Sequence, residues 1–251
     1  HRLQATRRRR HRHRAPARVL AELDKLAAAP DGGRGLAGVV SSGLLQPWMG
    51  APTSTAETLL LQLTPARASA LGLSEPERNS ALPLARLAAV LDAQALEQLR
   101  SSRRLQQRVE PLRRWQQRLN QPERPPATTH PSVVAEQLPE AERLQLHRQL
   151  EADLPALLLG WSEEGATTAQ HWLQRWRDPH DPLFHPRAAI DGGSLQRALA
   201  VPPSPQLGQL LNQLMQERAF GRIQTEEEAL EAARRWLDRS SNEHSPGSRR
   251  D

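Results

Sequence analysis

Apolar positions along this chain recur three and four residues apart, the spacing of one helical face. Val19, Leu20, Leu23 and Leu26 form such a stripe behind Pro16, a favoured first-turn residue, and predict a helix from about 16 to 29. Pro30 to Gly35 read as a turn, and a second short helix, about 36–44, leads into Gly43-Leu44-Leu45 and Trp48. Leu84, Leu87, Ala88, Leu91 and Ala95 give another stripe. Ser101 to Leu119 is helical with Leu105, Val109, Leu112 and Leu119 inward, and Pro111 is expected to kink or restart it. The second half predicts helices near 139–151, 153–159 and 165–177, then a turn in DPHDPLFHP.

The last elements carry explicit punctuation. Ser204-Pro205 is an N-cap followed by Pro at the first helical position, with Leu207, Leu210, Leu211 and Leu214 inward. Gly221 stands where a left-handed C-terminal cap belongs. Thr225 with Glu228 is a capping box opening a helix with Leu230, Ala233 and Leu237 inward. No segment alternates with period two, Tyr is absent, and Ile occurs only at Ile190 and Ile223. Strands are therefore not expected, and the fold class is all-α.

Composition adds limits. The chain has 251 residues and no Cys, so disulfides, thiolate metal sites and Cys nucleophiles are excluded. No apolar run approaches the ~18 residues of a membrane helix, and the N-terminus lacks a secretory h-region, so the cytoplasm is expected and a membrane partner is not. The chain begins with His1 and not Met, so an upstream natural segment is expected. The net charge of +6 is uneven: residues 1–34 carry +7, residues 100–124 carry +6, and the remainder carries −7. Two basic patches on an acidic remainder point to a polyanionic partner held at defined places.

Within the second patch, Arg100, Arg103, Arg104, Arg108, Arg113, Arg114 and Arg118 are the RNA-binding candidates. Arg100, Arg104 and Arg108 recur at i, i+4, i+8 and make one basic ridge if the helix is continuous. The plainer alternative is a solvated helix face. Gly208 would let another backbone or a phosphate approach closely. His171, His180 and His185 with Asp178 and Asp181 raise a metal site, which the surrounding prolines disfavour. Trp172 and Trp176, four residues apart, fit core anchors better than base-stacking platforms. Glu226, Glu227 and Glu228 suit the positive end of their helix.

Residues 190–237 also resemble the closing segment of bacterial CCA-adding tRNA nucleotidyltransferases and the related poly(A) polymerases. Asp191, Gly192 and Leu195 match its opening; Pro202, Pro203, Pro205, Gly208 and Leu211 match its corner, with Ser204 replacing the usual Gly. Gly221, Ile223, Glu228, Ala229 and Leu230 match its end. Residues 17–48 are similar to the family's neck through Arg18, Glu22, Leu23, Leu26, Gly35, Leu36, Gly43 and Leu44, with Ala17 where the family usually has Glu.

The resemblance implies an elongated helical neck, body and tail that grips the acceptor and TΨC arms of tRNA, with Arg18 in an RNA-binding neck. Mg²⁺ and ATP or CTP would belong to a catalytic head. That head's paired metal-binding carboxylates and templating Glu-Asp-x-x-Arg are not found in these residues. The chain is thus expected to hold no cofactor and to be inactive alone, although its parent family is an enzyme family, and DNA is not an expected partner. The expected organisation is a basic leader (1–15), neck (16–50), body (51–120), linker (121–132), a second helical part (133–239) and a tail (240–251). The rival reading is a stand-alone, non-enzymatic helical module that binds RNA or protein.

Overall fold

The computed structural model describes residues 16–46, 48, 54–120 and 130–243. The expected leader, most of the linker and the end of the tail lie outside these residues. Among the described residues there are helices, turns and no strand, so the fold is all-α. None of these helices is long and apolar enough to cross a membrane.

The described residues form two compact units, one from those within His1–Gln137 and Gln149–Gln174, the other from those within Leu138–Arg148 and Arg175–Asp251. The first contains α1 (16–28), α2 (Gly32–Ser41), α3 (Ser54–Gln62), α4 (Pro65–Ala70), α5 (Glu75–Val90), α6 (Ala93–Gln98), α7 (Arg103–Asn120), α8 (Pro131–Glu136) and α10 (Leu154–Leu159). Helix α9 (Glu140–Leu150) gives its first residues to the second unit, and α11 (Ala166–Arg177) gives most of its length to the first.

The centre of the first unit is α5, against which α2, α3, α4, α7 and α10 all pack. Leu84, Leu87, Ala88, Leu91 and Ala95 are buried as their spacing predicts, but they belong to two helices. Leu91 ends α5 in extended backbone, and Asp92 caps α6 through Ala95 N at 2.7 Å. Helix α10 is buried on every side, which suits LPALLL, a run without polar residues. Pro111 does not restart α7, which continues through it; the helix forgoes one backbone hydrogen bond while Val109, Leu112, Trp115 and Leu119 stay buried.

The first turn of the unit is tied down from its centre. Arg86 of α5 is only 1% exposed. Its Nε donates to Leu63 O at 3.0 Å, and its terminal nitrogens donate to Ala27 O and Ala29 O at 2.7 Å and to Pro30 O at 3.0 Å. Gly32 and Gly33 open α2 instead of ending the turn. A Cβ on Gly33 would lie 2.3 Å from Leu60 O, so α2 meets the end of α3 backbone to backbone.

The second unit is built from residues 138–148, α12 (Gly192–Leu199), α13 (Pro205–Ala219) and α14 (Glu226–Glu243). Ile190, Leu195, Leu207, Leu210, Leu214, Ile223, Ala229 and Ala233 form one buried cluster. The predicted punctuation is present: Ser204 Oγ accepts from Leu207 N at 3.3 Å, and Gly221 has φ +76°. Thr225 Oγ1 accepts from Glu228 N at 3.2 Å, and Glu228 returns an oxygen to Thr225 N at 3.2 Å.

Candidate nucleic-acid interface

Seven arginines between positions 100 and 118 meet four different fates. Helix α6 ends at Gln98, and Arg100 follows in left-handed backbone with φ +54°. Helix α7 begins at Arg103, after Ser102 has capped it by accepting from Leu105 N at 3.2 Å. Arg100 is therefore not on the helix that carries Arg104 and Arg108, and the i, i+4, i+8 ridge does not form.

Arg108 is committed inside its own unit. Its Nε and a terminal nitrogen hold both oxygens of Asp153, at 2.7 to 3.1 Å, and the same terminal nitrogen reaches Ser80 Oγ at 3.4 Å. This bond holds the guanidinium more firmly protonated than a solvated arginine's. Arg113 is largely desolvated and donates to Ala88 O; burial lowers its pKa more than the attraction of Asp92 raises it. Both side chains join α7 to its neighbours, so a phosphate would have to displace those bonds.

Arg103, Arg104 and Arg114 are exposed. At 3.6 residues per turn, positions 103 and 114 are about three turns apart, roughly 16 Å along the axis, and point the same way. Position 118, one turn further, falls on this flank, with Gln107 between. The exposed arginines on this flank of α7 are thus Arg103 and Arg114, opposite Val109, Leu112 and Leu119, with Arg118 half-buried beside them. A count of arginines at four-residue spacing does not separate the exposed Arg104 from Arg108, which Asp153 already holds.

The other candidates sit elsewhere. Arg18 is exposed on α1. Gly208 lies on the first turns of α13, exposed, and a Cβ there would meet nothing within 4 Å. A Cβ on Gly192, by contrast, would lie 3.3 Å from Leu211 Cδ1. Packing therefore accounts for Gly192 and not for Gly208.

Near DPHDPLFHP, Asp181 grips Arg175 at 2.7 and 3.1 Å and accepts from the backbone of Leu183 and Phe184 at 3.0 and 3.1 Å. Desolvation raises its pKa, but these bonds outweigh that and hold it below the usual carboxylate range. Its oxygens serve a structural corner. Trp172 is buried, donates to Glu136 and meets Trp161 edge-on at 5.2 Å, the arrangement of a core anchor.

Sequence reasoning missed Arg86 and Asp153. Arg86 sits inside an apolar stripe, and that interruption was the available signal. Asp153 carried none, because its partner is 45 residues away. No protein-family model, curated protein or solved structure matches this chain.

Proposed function

We propose that this chain is the tRNA-gripping C-terminal portion of a CCA-adding tRNA nucleotidyltransferase, holding the acceptor end for nucleotide addition by a head carried on other residues. The reading rests chiefly on the run from Asp191 to Leu230. Many of the positions that resemble the family's closing segment are ones its local structure depends on. Asp191 caps α12 by accepting from Gly193 and Ser194 N at 2.9 and 3.0 Å. Leu195, Ile223 and Ala229 enter the buried cluster, and Leu211 and Leu230 pack on it. Gly208 has no such duty, which suits a backbone kept bare for a phosphate.

The basic side chains proposed to meet the RNA are Arg18, Arg103, Arg104 and Arg114, supported by Arg100 and Arg118. Contacts of this kind follow the phosphate backbone and duplex shape without reading sequence. Arg103, Arg104 and Arg114 changed together to Gln test this. The triple variant is expected to bind tRNA more weakly and to flatten the slope of log affinity against log salt by roughly two to three units. Arg234, Arg235 and Arg239 changed together serve as the comparison and are expected to do less. Equal losses from both triples, or an unchanged slope in the first, would refute an RNA face on α7.

A further inference from the structure

The first unit contains a cleft of about 420 Å³ that the RNA reading does not use. It opens between the α3–α4 corner and the α10–α11 segment, and most of its lining is apolar, including Leu61, Leu71, Leu158, Ala166 and Trp161. Its volume is that of a small-ligand pocket. Leu61, at the rim, is 55% exposed, a large apolar side chain left beside an apolar opening.

One cation enters this lining. Arg67 of α4 is fixed from behind by its Nε, which donates to Leu159 O at 2.9 Å. No hydrogen bond or ion pair occupies its two terminal nitrogens among the described residues. Burial lowers its pKa, and the attraction of Glu163 only partly opposes this. Water is thus partly stripped from a positive charge with unused donors beside an apolar hollow. The complementary molecule carries one negative, fork-accepting group on an apolar body. Glu163, exposed at the edge, disfavours a second negative charge.

We propose that this cleft binds a small apolar monocarboxylate, whose carboxylate takes the two free nitrogens of Arg67 and whose body lies along Leu61, Leu71, Leu158 and Ala166. Trp161 supplies the readout. Its indole N–H is buried in the wall with no acceptor among the described residues, so a shift of that wall alters its environment directly.

The test is a titration of the full chain with 4-phenylbutyrate, followed through indole N–H resonances and assigned by the signal lost in Trp161→Phe. Trp161 is expected to shift saturably. Arg67→Gln is expected to weaken binding about tenfold or more, and 4-phenylbutan-1-ol, lacking the charge, to bind weaker than the acid by a similar factor. Ala66→Leu fills the cleft from an exposed helical position and is expected to abolish binding with helical content and thermal midpoint retained. This variant decides the matter if Arg67→Gln fails to fold. An unmoved Trp161 resonance, equal affinity for acid and alcohol, or undiminished binding in Ala66→Leu would each overturn the proposal.

Discussion

Arg86 shows how one residue organises several elements. Its guanidinium satisfies four carbonyl oxygens at the ends of α1 and α3, groups that a helix terminus leaves without internal partners. Met has a similar stem and no donors. Arg86→Met is expected to lower stability by about 3 kcal/mol or more, because buried acceptors lose charged partners together. Urea midpoints measure this, and a loss below 1 kcal/mol would show that water replaces the guanidinium. Gly208 offers the opposite case. Ala has room there and favours a helix interior, so Gly208→Ala is expected to add about 0.5–1 kcal/mol. The same change is expected to weaken tRNA binding if a phosphate approaches that backbone. A stabilised variant with unchanged affinity would leave Gly208 no part in recognition.

At the scale of elements, α9 carries a pH-dependent weakness into the second unit. His147 is 1% exposed, its ring 4.0 Å from that of Phe184. Burial, helped by Arg143 and Arg175 and opposed by Asp181, pushes its pKa down to about 3. The unfolded chain takes a proton near the ordinary value of about 6.5 and the folded unit does not. Stability is therefore expected to fall as pH drops from 6.5 towards 3, by on the order of 1.4 kcal/mol per pH unit, with no contribution from His147 above that window. Asp181, whose folded pKa is lowered, adds a loss only at lower pH, below its ordinary value of 3.8. His147→Leu should flatten the slope between pH 6 and 4 in urea unfolding, and an unaltered slope would place the charge sensitivity elsewhere.

For the molecule as a whole, the functional proposal separates holding RNA from extending it. The paired carboxylates that would bind catalytic Mg²⁺ in the nucleotidyltransferases that residues 190–237 resemble are not among the motifs of these residues. The purified chain, given tRNA, Mg²⁺ and labelled CTP or ATP, is expected to bind the tRNA and leave its length unchanged. Incorporation that tracks the chain through successive purification steps would mean that its residues contain an active site after all.

What the sequence determined by itself is local. The stripes of α1, α7 and α13, the cap at Ser204, the Thr225–Glu228 box and the left-handed Gly221 all depend on partners within four residues. Those partners are present whatever the rest of the chain does. Tertiary structure decided the rest. It tied Arg108 to Asp153 and Arg113 to Ala88, and grouped residues 138–148 with those from 175 onward. An arginine's side chain reads the same whether it faces water or a carboxylate 45 residues away, because long-range pairing leaves no mark on spacing. The candidate surface was therefore legible as a cluster of charge, while the identity of its outward arginines waited for the fold.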